Sequence, residues 1–166
     1  MSKFVLGVDP GSASGGFALF GMGDDDWEPR LYEVFNLPTM KSKGRGNQVN
    51  ILALRDKLAA INWTTAYIEN VQARPMEGRG SGFKFGVGCG IIQGLVIGRG
   101  RPFEMVPPSV WKPKLGLNND KEYSRTRAIQ MFPEQADLFA LKKSHNLAEA
   151  ALISYYGYLH LEGRLK

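Results

Sequence analysis

The chain has 166 residues, 43% of them hydrophobic and 22% charged, with a net charge of +5. That length suits one domain with a real core, and the composition excludes a chain too polar to fold. A single cysteine, Cys89, excludes an internal disulfide and points to a reducing interior, where a thiol beside glycines reads as a packing residue. No run approaches eighteen consecutive apolar residues, and the opening apolar run is closed by an acid and a turn too early for a secretory signal. Neither a membrane partner nor a leader is therefore expected. The positive balance suits a polyanionic partner: bases recur in KSKGR, KPK and LKK, while acids crowd into DDDWE at 24–28.

FVLGVDPG at 4–11 reads as a short apolar strand that ends on Asp9 and enters a Pro-Gly turn. GFALFG at 16–21 and RLYEVFNL at 30–37 resume the pattern after short connections, which predicts an antiparallel meander. PTMKSKGRGNQ at 38–48, rich in glycine and lysine, reads as an exposed loop. Ile51, Leu54, Leu58 and Ile61 recur at three- and four-residue spacing, so 49–61 is expected to be an amphipathic helix. TTAYIEN at 64–70 has a strand's composition and carries Glu69 at its end.

After a second glycine-rich loop at 73–82, Phe83, Val87, Ile91, Leu95 and Gly98 fall on one helical stripe. Each glycine there costs about 1 kcal/mol against alanine in a helix. Their number predicts close packing against a neighbouring element or a second chain. RPFEMVPPSVWKPKLG at 101–116 reads as a strand followed by a proline-initiated turn or short helix, with Trp111 in the core. KEYSRTRAIQMFP at 121–133 predicts a basic helix closed before Pro133. The last helix is expected to start near His145 or Asn146, with Asn146 as its cap, and to run to about Leu161. No repeat or linker divides the chain, so one domain over 1–166 is expected.

Three segments put a carboxylate where little water can solvate it. Asp9 closes the first strand, Glu69 closes the strand after the first helix, and Glu149 sits among Ala148, Ala150 and Ala151. Acids in such surroundings need a partner or a metal, and three of them brought together would repel until divalent cations intervened. Hard oxygen donors suit Mg²⁺ or Mn²⁺, and two ions about 4 Å apart activate water and stabilise a phosphoryl leaving group. Each acid also has an ordinary reading, as a turn former, a strand-end charge or a helix-start acid that favours the dipole. His145 and Asn146 lie four and three residues before Glu149 and share its helical face. His145 can ligate or move a proton near neutral pH, Asn146 can offer a neutral oxygen, or both simply begin the helix. No Cys/His spacing indicates structural zinc.

Taken in order, FVLGVDPGSASGG, YIENVQARP, SGFKFGVGCG, VPPSVWKPKLGL, DKEYSRTRAIQMFP and KKSHNLAEAALI resemble the RuvC-type Holliday junction resolvases, above all the RuvC-like endonucleases of bacteriophages. The resemblance runs from about residue 4 to 160. It implies an α/β, ribonuclease H-like fold: a five-stranded mixed β-sheet flanked by α-helices, in a homodimer that binds branched DNA. Each subunit would make one nick, symmetrically, and leave 5′-phosphate ends. The resemblance implies Asp9, Glu69 and Glu149 as metal-holding acids, with His145 or Asn146 in the place of a fourth group. It further implies two Mg²⁺ ions per active site, with Mn²⁺ as a substitute, and a cytoplasmic setting, that of the host cell if the chain is phage-encoded. Phage members often carry an aspartate before the His-Asn pair, where this chain has Ser144.

Arg74, Arg79 and Lys84 follow Glu69 and can reach phosphates, while Phe83 and Phe85 can stack on an unpaired base or pack in a core. Two residues apart, the phenylalanines are expected to take different roles. Lys112, Lys114, Lys121, Arg125, Arg127, Lys142 and Lys143 are candidate phosphate contacts. The expected function is a metal-dependent, structure-specific DNA endonuclease that needs no nucleotide cofactor. A branched-DNA-binding protein without catalysis is the alternative, as is a nuclease for flaps, forks or packaging intermediates. An actin-like or sugar-kinase-like ATPase would also open on a strand and an Asp-Gly turn, but needs a longer, two-lobed chain.

Overall fold

Alternation along the first strand decides which way everything else packs. In β1 (Lys3–Asp9), Val5 lies in one core cluster while Leu6 and Val8 lie in a second. Both faces of the strand are therefore covered, as expected for a central strand flanked by helices. The computed structural model describes residues 3–44, 46–72 and 78–165. β1 pairs antiparallel with β2 (Gly16–Met22), which pairs antiparallel with β3 (Arg30–Asn36), forming the expected meander.

The expected loop at 38–48 instead forms a hairpin of β4 (Thr39–Ser42) and β5 (Gly46–Val49), paired from Thr39 opposite Val49 to Ser42 opposite Gly46. A polar, glycine-rich composition indicates exposure, but two extended arms satisfy their backbone groups on each other whatever their side chains.

α1 (Ile51–Ala60) is capped by Asn50, whose side chain accepts from the Ala53 amide at 3.1 Å, and it buries Leu54 and Leu58. β6 (Thr65–Glu69) then runs parallel to β1, and after α2 (Arg79–Ile97) comes β7 (Phe103–Val106), parallel to β6. The sheet order is β3-β2-β1-β6-β7, the expected five-stranded mixed sheet. α3 (Pro108–Lys114), α4 (Lys121–Met131), α5 (Ala136–Phe139) and α6 (His145–Leu161) complete the chain. α6 lies across one face of the sheet, and α1 and α2 cover the other.

Two expectations about helices need correction. Asn146 is the second residue of α6 rather than its cap; Ser144 holds the cap position without a side-chain capping bond. In α2 the buried side runs through Gly88, Cys89, Ile92 and Val96, while Phe83 is 74% exposed and Val87 46% exposed. At 100° per residue, the buried face is turned by one position from the expected stripe. Gly88 explains this, because a Cβ there would run into the backbone of Gly11 and Ser12. At Gly82, Gly86, Gly90 and Gly94 a Cβ would meet nothing within 4 Å, so the close packing expected of those glycines is absent within the described chain. Although Lys84 and Gln93 interrupt it, Gly80–Ile97 is long and apolar enough to cross a membrane by length and composition, with 22% of it buried.

Candidate metal centre and nucleic-acid cleft

The period of two that places Val5 toward α6 places Gly7 and Asp9 on the same face. In β6, Tyr67 belongs to the α6-side core while Ala66 and Ile68 face the other way, so Glu69 also turns toward α6. The parallel register pairs Val8 with Ile68, and one step further it sets Asp9 and Glu69 side by side at the strand ends. α6 crosses this edge, with the Ala150 carbonyl and Ser154 amide against Gly7, and delivers Glu149 from above. The three carboxylates converge: one oxygen from each lies within 4.8 Å of the others, and all three residues are buried.

Such a cluster is electrostatically costly. Burial first, then the charges of Glu69 and Glu149, hold the Asp9 carboxyl well above the usual carboxylate range, against the opposing pull of Lys121 and Lys112. Burial and then Glu149 raise the Glu69 carboxyl, opposed by a hydrogen bond from Trp111 and the charge of Lys112. Burial and the nearby Asp9 also push the Cys89 thiol up to about 11, which keeps it a packing residue. The donor set is three hard oxygens in one buried cluster, the chemistry that fits Mg²⁺ or Mn²⁺.

The carboxylates form the floor of a cleft of about 790 Å³, which Ser12, Phe85, Lys121, His145 and Asn146 also line. α3 supplies two further groups. Trp111 Nε1–H donates to Glu69 Oε1 at 3.0 Å, and Lys112 Nζ donates to Glu149 Oε1 at 2.6 Å. Trp111 is fully buried, as expected, but its indole nitrogen faces the site. Lys112, by sequence a candidate for an exposed phosphate contact, is instead buried and ion-paired. The one signal for both is their position: α3 begins just after a strand that turns out to be β6's parallel neighbour, and so opens at the same sheet edge as Glu69. Trp111→Phe is expected to keep the fold and to weaken Mn²⁺ binding about tenfold, the lower end for loss of a group that orients a ligand. Titration calorimetry checks this, and unchanged affinity would show that the indole bond does not orient Glu69.

His145 stands at the rim, outside the carboxylate cluster. Its Nε2 lies 3.1 Å from Lys121 Nζ and its Nδ1 lies 3.4 Å from the Lys142 carbonyl oxygen. An ammonium can only donate, so Nε2 accepts from Lys121 in this arrangement. Lys142 and Lys143 are exposed on the turn that leads into α6, and Lys114 is exposed on α3. Phe85 lines the cleft while Phe83 and Lys84 line a separate apolar hollow, so the two phenylalanines do face differently. Arg125 differs from the expected phosphate contact: its guanidinium donates to the Phe139 and Ala140 carbonyls at 3.0 and 2.7 Å and to Glu122 at 2.7 Å, tying α4 to the end of α5. Arg127 opens onto a distant hollow beside Trp27. Arg74 lies outside the described residues, as does the side chain of Arg79.

No family model matches the chain, and no curated protein matches it. Solved structures do. RuvC of Thermus thermophilus aligns with a TM-score of 0.67 over 98% of both chains at 18% identity. The same bacterium's RuvC in complex with a Holliday junction substrate aligns at 0.62 and 17% identity, over 99% of this chain and 98% of that one. The yeast mitochondrial Holliday junction resolvase aligns at 0.60 and 12% identity, over 98% of this chain and 81% of that one. At these identities the likeness is one of fold, and it extends from end to end: the chain shares the architecture of these solved proteins.

Proposed function

We propose that the protein is a single-domain, metal-dependent endonuclease that resolves four-way DNA junctions by paired symmetric nicks, leaving 5′-phosphate ends. The observation that carries this reading is the convergence of Asp9, Glu69 and Glu149 on the floor of an open cleft. It occurs in a fold shared with RuvC proteins, one of them solved on a Holliday junction. Asp9, Glu69 and Glu149 would hold Mg²⁺ or Mn²⁺; two such ions, when bound, supply an activated water and stabilise the leaving oxygen.

The chain's own groups do the rest. Trp111 fixes the Glu69 carboxylate, and Asn146 or His145 serves as the fourth polar group beside Glu149. Lys121, Lys142 and Lys143 take backbone phosphates, and Phe85 offers an aromatic surface beside the acids for an unpaired base. A homodimer accounts for two nicks. The exposed glycine-lined side of α2, with Val87 and Ile97, supports it as the surface where a second backbone comes close.

The test is a cleavage assay on four-way junctions with Mg²⁺ and with Mn²⁺. Paired nicks bearing 5′-phosphates are expected. Tight junction binding without cutting under either metal would instead establish a non-catalytic binding protein, and preferred cutting of flaps or forks would change the substrate.

A further inference from the structure

Among the described residues, Lys112 is the cation buried against the three acids rather than placed at their edge. It is 7% exposed, and its ammonium sits 2.6 Å from Glu149 Oε1. Its charge also acts on Glu69 and, together with that of Lys121, on Asp9, so this ammonium bears on all three acids. A phosphate contact has no need of such a position, since phosphates arrive from the cleft mouth and are met by exposed side chains. A buried ammonium beside three buried carboxylates does what a divalent ion would do there: it offsets repulsion that water cannot screen.

An ammonium and a metal ion cannot occupy the same oxygen at the same distance. Two cations held on one carboxylate oxygen repel each other, so Lys112 opposes any ion that uses Glu149 Oε1, and by reciprocity an ion bound there weakens the hold on Lys112. The side chain has somewhere to go. Lys112 itself lines the cleft, so its four-carbon stem can swing the ammonium toward the open side.

We propose that Lys112 is a built-in counter-ion that holds the place of a divalent cation at Glu149 in the metal-free protein and yields it on metal binding. Lys112 is thus a positioning residue that acts through Glu149. It keeps the carboxylate in place before loading and sets the metal concentration at which the site fills. This rests on the metal-centre reading of the acid cluster. It also accounts for two consecutive residues of α3 each holding a different acid: Trp111 keeps its bond to Glu69, while Lys112 exchanges its own.

The test is Mn²⁺ titration calorimetry on chelator-treated protein, comparing wild type, Lys112→Met and the double variant Lys112→Met/Glu149→Gln. Lys112→Met should bind Mn²⁺ at least about fivefold more tightly than wild type, the low end for coupled binding equilibria. The double variant should lose that gain. Equal or weaker binding by Lys112→Met overturns the proposal, as does a complete absence of Mn²⁺ binding in both proteins. A second measurement needs no variant. Acylation of Lys112 by an amine-reactive reagent, followed by peptide mass spectrometry, should be slow in chelator and rise when Mn²⁺ is added. A Lys112 that stays unreactive with Mn²⁺ bound overturns the displacement. Junction cleavage by the same preparations reports separately on the nuclease reading. Tighter Mn²⁺ binding by Lys112→Met with no cutting by wild type would uphold this inference and remove that function.

Discussion

Replacing Asp9 with asparagine should abolish junction cleavage and yet raise the melting temperature of the metal-free protein. Both effects come from one charge. Asp9 sits at the end of β1, where burial and two neighbouring glutamates oppose its ionisation. On the proposed function, that charge is an indispensable metal ligand. Losing about 4 kcal/mol of transition-state stabilisation corresponds to a rate about 10³-fold lower, and a fall of that size or more is expected. Without metal, the same charge is a burden that asparagine removes at nearly constant shape. A rise of about 2–4 °C is expected, the equivalent of about 1 kcal/mol for a chain of this size.

The pH dependence follows from the direction of the shifts. Asp9 and Glu69 have folded values raised above their ordinary 3.8 and 4.5. Such groups stabilise the fold fully below the unfolded value, and that contribution is lost as the pH rises through the folded one. Metal-free wild type should therefore melt progressively lower as the pH climbs from the ordinary carboxylate range toward neutrality. Asp9→Asn should flatten part of that decline, and Mn²⁺ should reverse it in wild type only. Calorimetric melts in EDTA at pH 5 and pH 8, beside cleavage assays, make the comparison. Full cleavage by the variant would remove Asp9 from the site, and a lower melt at pH 8 would contradict the strained cluster.

The second large effect is expected at a residue with no chemistry at all. Gly7 lies in the middle of β1 on the face that meets α6, and a single added methyl would collide with the Ala150 carbonyl oxygen and the Ser154 amide. Those are backbone atoms of a buried helix and cannot turn aside as a flexible side chain would. Gly7→Ala should destabilise the protein by about 3 kcal/mol, the upper end of overpacking costs, which lowers the melt by about 6–12 °C. The same displacement would carry Glu149, one residue from Ala150, away from Asp9 and Glu69. Mn²⁺ affinity should therefore fall together with stability in a protein whose three acids are all intact. Unchanged stability would mean that α6 has room to shift. A stability loss with unchanged Mn²⁺ affinity would mean that its N-terminal turns move independently of the contact at Gly7.

Asp9 and Gly7 stand on one strand, and they differ in how far local sequence explains them. Asp9, like Glu69, is conspicuous because it ends a short apolar run, and period-two alternation decides which face such an end residue takes. Glu149 stands out because alanines surround it on a helix whose apolar pattern is continuous. Local composition carries that information, and with it come the strand order of the meander, the helix at 51–60 and the terminal helix. Convergence is another matter, and so is the close approach that requires Gly7. Both depend on β6 running parallel beside β1, and on α6 crossing the sheet at one edge; neither relation is encoded in any window of sequence.

The departures have the same origin. Glycine and lysine at 38–48 advertise exposure, which is true of the hairpin too, but backbone pairing across a turn leaves no side-chain signature there. The buried face of α2 is displaced by one residue because a contact with Gly11 and Ser12, far earlier in the chain, selects Gly88 rather than Val87 to face inward. Arg125 and Lys112 both read as basic surface residues, and only the fold shows that one ties two helices together while the other sits among the acids.

By itself, then, the sequence determined most of the elements, the acids at their ends and the architecture they resemble. The elements and their acids follow from nearest-neighbour periodicity and from the desolvation cost of a charge among apolar residues, whereas the architecture came from the resemblance of the ordered segments. Only the tertiary structure decided that the acids share one cleft, that Trp111 and Lys112 hold two of them, and that His145 turns to Lys121. Those facts belong to segments brought together across the sheet, where a few ångströms decide which charge meets which.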